Sequence, residues 1–310
     1  MSNRNRTKTD SQFDLFDRPY VLLVLAILFW SGNFILGRAV RAEVPPIGLA
    51  FWRWFVGSLI VLPFALPYLK PELLQVFRHW KIILLFSALG IATFNTLVYI
   101  GLHSTTAING SLIQSITPLA IALLSYLLFR DTLSLVQVIG IAISLSGVIV
   151  ITMRGSWQTL TTLSFNPGDG LILTAVSCYA FYVSLLRLRP AIHPLSFLAV
   201  TFALGTLMLL PFYAWENLTG HIMRLNPVTV LSISYVGIFP SILAYFCYDR
   251  GVLLIGANQA GQFLNLIPLF SSVMAVLFLG ETFQLFHGIG MILILGGIFL
   301  VTTGRYRRTD

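Results

Sequence analysis

The chain has 310 residues, of which 57% are hydrophobic and only 10% are charged, and its mean hydropathy is +0.86. An ordinary soluble domain has roughly 25% charged residues, so this chain has too little polar surface to cover a water-soluble globule. The formal net charge of +8 comes from basic residues in short connections between apolar segments. That placement indicates orientation in a membrane and argues against a nucleic-acid-binding face.

Ten apolar segments follow a polar N-terminal stretch, each close to the ~20 residues that a helix needs to cross a bilayer core. A spanning segment must satisfy its own backbone hydrogen bonds in lipid, so we predict an all-α integral membrane protein. The first segment could instead be a signal peptide, but its apolar character resumes after Ser31-Gly32-Asn33 and no cleavage site follows. The predicted helices are 20–40, 47–69, 80–102, 107–129, 134–153, 169–188, 194–215, 228–250, 257–280 and 284–304.

The sequence contains an internal repeat at an offset of 150 residues. At a neighbouring offset of 149, Trp30 aligns with Tyr179 and extends the repeat to the first helix of each half. A constant offset across helices and loops indicates duplication. We therefore predict a disordered tail at 1–19, five-helix repeats at 20–153 and 169–304, a linker at 154–168 and a tail at 305–310. The aligned pairs at 150 include Pro118 with Pro268, Asp131-Thr132 with Glu281-Thr282, Gly140 with Gly290, and Gly147 with Gly297.

The orientation of the two repeats follows from their odd number of helices. The second repeat enters the membrane from the opposite side, which predicts inverted repeats around a central cavity. With the N-terminus inside, 14 of the 19 Lys and Arg residues lie in inner segments, four lie in outer loops, and Arg53 lies inside a helix. This bias predicts that both tails are cytoplasmic and that the linker is on the outer side. We expect the membrane to be the cell (inner) membrane.

Each half ends in the same pattern of a proline, an apolar helix, an acidic residue with Thr, and a helix with glycines seven residues apart. With Phe29-Trp30-Ser31-Gly32-Asn33-Phe34 and Arg53, the pattern resembles the EamA branch of the drug/metabolite transporter superfamily over about residues 20–304. The first half departs from it, with Arg130-Asp131 where the family usually has Gly-Glu. The resemblance implies a ten-helix exporter of small metabolites, often amino acids, that works by alternating access. Within the family, the chain is similar to the YddG-type exporters of aromatic amino acids.

A transporter needs polar and aromatic groups at mid-membrane depth, where each is costly unless it faces a cavity or a partner helix. Trp30 and Asn33 share one face of the first helix, and Tyr179 and Tyr182 repeat this spacing in the sixth. A polar stripe on the ninth helix has two interpretations that fit equally well: it lines the cavity, or it forms hydrogen bonds with a neighbouring helix. The predicted substrate-binding residues are Trp30, Asn33, Asn95, Tyr99, Gln114, Tyr179, Tyr182, Tyr245, Gln262 and Asn265.

Prolines and one arginine inside the apolar segments have more than one interpretation. Pro118, Pro240 and Pro268 predict helix kinks, which either act as hinges at a substrate site or are simple packing kinks. Arg53 either extends to the outer surface, pairs with Glu43, or binds a substrate carboxylate.

Several functions are disfavoured by what the sequence lacks. It has no Gly-x-x-x-x-Gly-Lys-[Ser/Thr] motif for ATP, and no His, Glu and Asp constellation for hydrolysis or a metal. Its two cysteines, Cys178 and Cys247, lie in apolar segments and are interpreted as packing residues. We therefore expect no enzyme, no cofactor and no metal, and only a small-molecule substrate and the lipid bilayer as partners.

The expected function is export of small metabolites, most of all amino acids including aromatic ones. The alternatives are a transporter of another solute, such as a nucleotide sugar, a vitamin or a drug, and a membrane scaffold that transports nothing. A cationic drug would favour acidic residues at mid-membrane depth, whereas Asp131, Asp169, Asp249 and Glu281 all map near helix ends.

Overall fold

The computed structural model describes residues 17–40, 44–105, 107–155, 166–223, 226–279 and 282–304. Within these residues the chain forms ten helices, and nine of them are long and apolar enough to span a membrane. The first has a shorter apolar part, Pro19–Asn33. The helices are α1 (Pro19–Val40), α2 (Pro46–Arg78), α3 (Trp80–Ser104), α4 (Ala107–Gln114 and Thr117–Phe129), α5 (Leu135–Thr152), α6 (Pro167–Leu185), α7 (Pro194–Leu218), α8 (Pro227–Ile255), α9 (Ala257–Gln262 and Leu266–Leu279) and α10 (Leu285–Thr303).

The ten-helix fold is confirmed, but several predicted helix ends are wrong. Helix α2 continues to Arg78 and α8 to Ile255, because charged residues at the end of an apolar segment do not interrupt helical hydrogen bonding. Helix α6 begins at Pro167, where the Asn166 side chain accepts hydrogen bonds from two backbone N–H groups of the first turn. Most of the predicted tails and linker (1–16, 305–310 and 156–165) and Glu281 lie outside the described residues.

Departures from regular α-helix recur at the repeat offset. Helices α3 and α8 each contain a π-helical segment, Ser87–Thr93 and Ile238–Leu243. Helix α4 is interrupted after Gln114, and α9 has a 3₁₀ turn at Phe263–Asn265. Segments of this kind inside long helices often mark functional positions. The structure therefore places a pair of irregular segments in each repeat at matching positions.

Pro118 and Pro268 lie just after these interruptions, in the first turn of the second half of their helices. The N–H groups of a first turn have no intrahelical partner, so a proline there removes no helical hydrogen bond. The sequence predicts broken or bent helices at these prolines, and both helices are irregular there, with the irregular turn just before the proline. Pro240 lies within the π-helical segment of α8.

Helix contacts follow the pseudo-two-fold relation between the repeats. Helix α1 packs against the second half of α8, and its counterpart α6 packs against the second half of α3. Helix α2 packs against its own counterpart α7, and α5 against α10. The N-terminus of α2 is capped from α7, because the Glu216 carboxylate accepts hydrogen bonds from the N–H groups of Ile47 and Gly48 at 3.0 and 2.6 Å. The two repeats thus interlock and share one core.

Helices α5 and α10 approach each other through glycines. A Cβ atom on Gly297 would lie 2.5 Å from the Gly140 carbonyl oxygen, and a Cβ on Gly140 would lie 2.7 Å from the Gly297 carbonyl oxygen. Small residues at such a contact let two backbones approach closely in a membrane. The glycine spacing found in the sequence therefore serves the packing of this pair.

We expect Gly297→Ala to lower the thermal stability of the detergent-purified protein, by about 1–3 kcal/mol, because its methyl group overlaps the α5 backbone. Gly296→Ala is the matched control, since a Cβ at Gly296 meets nothing within 4 Å. Equal melting temperatures for the two variants would contradict the proposed contact.

Candidate functional site

A cavity of about 280 Å³ extends from one end of the helix bundle to its centre. It reaches the surface beside Val44, Pro46, His103 and Thr105, which lie at the α1–α2 and α3–α4 connections. We call this the open end. Its size and its mostly apolar lining with a few polar groups are typical of small-molecule sites.

Three rings line the inner end of the cavity, and a fourth packs against two of them. Together they are called the aromatic base: Trp30, Tyr179 and Tyr245, which line the cavity, and Tyr248. The Trp30 ring centroid lies 6.1 Å from that of Tyr179, 5.6 Å from that of Tyr245 and 4.9 Å from that of Tyr248. Edge-to-face and tilted pairs at these distances are favourable. All four side chains are buried, so the base separates the cavity from the opposite end of the bundle.

The aromatic base is fixed by hydrogen bonds to the π-helical segments. Trp30 Nε1 donates to the Pro240 carbonyl oxygen in α8 at 2.8 Å, and the Tyr245 hydroxyl donates to the Gly90 carbonyl oxygen in α3 at 2.7 Å. Gly90 and Pro240 are equivalent positions at the repeat offset of 150. Each repeat therefore supplies a side-chain donor to a carbonyl group in the π-helical segment of the other repeat.

One side of the cavity is polar, and Asn33, Asn95 and Tyr99 are called the polar wall. Behind it, the Arg53 guanidinium is 1% exposed. Its Nη1 donates to Asn95 Oδ1 at 3.0 Å and to the Tyr99 hydroxyl at 3.1 Å. The Tyr99 hydroxyl is in turn 3.4 Å from Asn33 Oδ1.

The remaining Arg53 bonds join α2 to the π-helical segment of α8. Nη2 donates to the Pro240 carbonyl oxygen at 2.9 Å, and Nε donates to Ser241 Oγ at 2.6 Å. An extension of Arg53 to the outer surface is therefore wrong, because the side chain points into the bundle. Glu43, the alternative partner, lies outside the described residues.

The structure brings eight of the ten predicted substrate-binding residues to the cavity. Two lie elsewhere. Gln262 is fully buried away from the cavity, and Tyr182 lies beyond the aromatic base. Pro268 also lines the cavity, whereas Pro118 and Pro240 do not. The eight are Trp30, Asn33, Asn95, Tyr99, Gln114, Tyr179, Tyr245 and Asn265.

Asn265 shows that the two interpretations of the polar stripe on α9 are compatible. Its Nδ2 donates to Ser144 Oγ of α5 at 2.8 Å, and the residue also lines the cavity. Sequence reasoning missed Phe94, whose ring lies 4.4 Å from that of Tyr179 and extends the aromatic surface. Nothing distinguished this residue from the other phenylalanines of the chain.

The opposite end of the bundle, called the closed end, contains a buried carboxylate. Asp249 is 3% exposed, and the Tyr182 hydroxyl donates to its Oδ2 at 2.9 Å. The sequence placed Asp249 at the membrane boundary, but it lies six residues, about 9 Å, before the end of α8. It is buried because α6 and the start of α7 cover it, next to a smaller cavity of about 210 Å³.

Charged groups surround this end. Exposed or half-exposed ion pairs join Arg187 to Asp131 at 3.0 Å and Arg250 to Asp17 at 2.9 Å. Burial lowers the pKa of Arg189 from its ordinary value, and the nearby Asp249 opposes this shift. The surface ion pairs contribute little to stability, because water already surrounds them. Asp249 is buried, so its environment would change most if this end opened.

Comparison with known proteins gives matches over the whole bundle. A model of the EamA-like transporter family matches residues 18–153 and 166–303. The uncharacterized transporter YyaM of Bacillus subtilis is 28% identical, covering 90% of this chain and 92% of its own length. The uncharacterized inner membrane transporter YicL of Salmonella typhimurium is 23% identical, covering 92% and 95%. One crystal structure, 19% identical, covers 92% of this chain with a TM-score of 0.75 and shows a shared fold.

We expect Asp249→Asn to favour the closed arrangement of this end, because asparagine keeps the acceptor for Tyr182 without a buried charge. When the closed end stays closed, the cavity stays open at the other end, so a cysteine at Leu102, beside the open end, should react faster with a water-soluble thiol reagent. The rate should rise by about fivefold for each ~1 kcal/mol by which the substitution lowers the cost of burying residue 249. Cys178 and Cys247 are replaced beforehand.

Asp131→Asn is the matched control, because it removes the same charge from a surface ion pair at the same end. A slower reaction in the Asp249 variant, or an equal change in both variants, would show that Asp249 does not influence closure.

Proposed function

The chain belongs to the EamA-like transporter family, and we propose that it exports small metabolites, most of all amino acids including aromatic ones, from the cytoplasm across the cell (inner) membrane. It is a multi-pass membrane protein and not an enzyme. The relatives compared above are named as transporters without a substrate, so the substrate class is our proposal. One observation supports it above the others: the cavity joins an aromatic base to a polar wall.

The two surfaces of the cavity fit the two parts of an aromatic amino acid. A planar side chain can stack on Trp30, Tyr179 and Phe94, which offer ring faces and edges. The amide groups of Asn95, Gln114 and Asn265 can orient the polar end. A cavity of about 280 Å³ suits a solute of this size better than a nucleotide sugar. Aromatic rings and amide groups in one cavity also support the narrower likeness to the YddG-type exporters of aromatic amino acids.

Alternating access follows from the interlocked repeats. The cavity is open at one end and sealed at the other by the aromatic base, so the structure has the form of one state of such a cycle. We propose that the interrupted helices α4 and α9, next to Pro118 and Pro268, and the π-helical segment of α8 around Pro240 act as the hinges. Each of these segments departs from regular α-helix, so one part of the helix can rotate against the other while few backbone hydrogen bonds change.

The proposed orientation places the closed end, with residue Asp17 of the N-terminal region, in the cytoplasm. Arg187, Arg189 and Arg250 lie at this end, in agreement with the charge bias of the whole sequence. The open end then faces the outside, where a solute leaves.

Counterflow in proteoliposomes tests the substrate class. Labelled phenylalanine and tryptophan should exchange with internal unlabelled amino acid, whereas sugars and organic cations should not. Trp30→Ala should reduce the apparent affinity for phenylalanine by about 2- to 10-fold, the equivalent of one aromatic pair, and should affect alanine less.

Trp215→Ala is the control, because Trp215 is 61% exposed on α7 and does not line the cavity. Exchange of sugars or cations without exchange of amino acids would refute the substrate class, and the absence of any exchange would favour a scaffold.

The orientation is tested by labelling single cysteines near both termini in intact cells. Neither should react with a membrane-impermeant thiol reagent until the membrane is permeabilised, whereas a cysteine replacing His221, in the α7–α8 connection, should react at once. Terminal cysteines on different sides of the membrane would contradict the inverted five-helix repeats.

A further inference from the structure

We propose that Asn95 and Tyr99, backed by the buried guanidinium of Arg53, form a binding site for the carboxylate group of the transported solute. The inference rests on the proposed function and names the groups that recognise the polar end of the substrate. The site lies on α2 and α3 of the first repeat, and Arg53 of α2 is held by the π-helical segment of α8 in the second repeat.

The charge of Arg53 has no acidic partner in the described part of the chain. Its four hydrogen bonds end on neutral acceptors: Ser241, Asn95, Tyr99 and the Pro240 backbone. Asn95 and Tyr99, which bind Arg53, both line the cavity and so lie between the guanidinium charge and a solute. A buried cation without a counter-ion produces a strong positive potential in a medium of low dielectric constant. An anion in the cavity would supply the missing charge.

Arg53 also fixes the orientation of the Asn95 amide. A guanidinium group has donors only, so the atom 3.0 Å from Nη1 must be the amide oxygen. The amide nitrogen, Nδ2, then remains as a donor. It is buried and makes no hydrogen bond of ordinary geometry to the described residues, although the Tyr245 hydroxyl lies close to it. Buried donors of this kind normally have a partner. Asn95 lines the cavity, so a small rotation of its side chain would bring Nδ2 to a solute oxygen, which is a suitable partner.

Tyr99 provides a second donor next to the first. Its hydroxyl oxygen accepts from Arg53 Nη1, so its proton is free to point away from the guanidinium. The acceptor nearest to it in the structure is Asn33 Oδ1, at a long 3.4 Å. A solute carboxylate would be a stronger acceptor than the Asn33 amide oxygen. The hydrogen bond from Arg53 polarises the Tyr99 hydroxyl and makes it a better donor to such a carboxylate.

The site lies beside the aromatic base. Trp30 Nε1 and Arg53 Nη2 donate to the same Pro240 carbonyl oxygen, so the indole ring and the guanidinium are neighbours. Phe94, which precedes Asn95, stacks on Tyr179. A solute with its carboxylate at Asn95 therefore has aromatic rings within reach of its side chain. This predicts that α-carboxylates of amphipathic solutes bind more tightly than the corresponding amines that lack a carboxylate.

The variant Asn95→Asp tests the site without changing its size. It places a carboxylate against Arg53, which pairs the charge, and it removes the Nδ2 donor. In counterflow, the apparent affinity for phenylalanine should fall by about tenfold or more, whereas phenylalaninamide, which has no carboxylate, should be unaffected or bind more tightly. Tyr99→Phe should act in the same direction but less strongly, and it covers the case in which Asn95→Asp does not fold.

The control is Asn226→Asp, the same chemical change at the N-cap of α8, where the Asn226 side chain accepts from Thr229 N–H and an acidic residue serves equally well. It should leave both affinities unchanged. Equal losses for phenylalanine and phenylalaninamide in the Asn95 and Tyr99 variants would overturn the carboxylate site, since a purely structural role of Arg53 affects both solutes alike.

A binding measurement separates this inference from the proposed function. In the purified wild-type protein, 3-phenylpropionate should raise the melting temperature and 3-phenylpropanamide should not, and Asn95→Asp should abolish the difference. If no amino acid is transported but this difference appears, the carboxylate site stands and the substrate class is wrong. If phenylalanine is transported but the acid and the amide stabilise the protein equally, the carboxylate site is wrong and the proposed function stands.

Discussion

The arrangement depends on the supply of hydrogen-bond donors to backbone carbonyl groups in the middle of the bundle. In lipid no water can satisfy a carbonyl that a π-helical segment releases. The Gly90 carbonyl accepts from Tyr245, and the Pro240 carbonyl accepts from Trp30 and Arg53. Each donor belongs to the repeat that does not contain the carbonyl. The irregular segments of one repeat are therefore stable only when the other repeat is in place.

The same donors define the cavity. Trp30 and Tyr245 supply two of the four rings of the aromatic base. Their polar atoms are held by these carbonyls, which leaves their rings against each other and beside the cavity. Arg53 orients Asn95 and Tyr99 with the rest of its hydrogen bonds. A movement that opens the closed end must shift α8 against α1 and α2, and so it must change the base and the wall together. Solute binding and conformational change are coupled through one small set of bonds.

The sequence was sufficient to predict the ten helices. Aromatic and amide residues at mid-span of a membrane protein lie either at a cavity or at a helix contact, and Trp30, Asn95 and Asn265 do line the cavity. Their part in substrate binding stays a prediction. The sequence could not predict the π-helical segments, because Ser87–Thr93 and Ile238–Leu243 share no distinctive residues and depend on donors from distant helices. Asp249 was placed too near the surface, because its burial comes from α6 and α7 and not from its own helix.

The charge of Arg53 is not needed for the bonds that hold the helices together. Its contacts with Ser241 and Pro240 join α2 to α8, but neutral donors can fill such positions, as Trp30 and Tyr245 do nearby. Burying a charge without a counter-ion is costly, and a neutral, well-packed replacement is often more stable. The Trp54 ring, 4.7 Å from Arg53 Cζ, offsets only part of that cost. A cation that stability alone does not require, placed behind two residues that line a cavity, is most simply explained by an anionic group that enters the cavity.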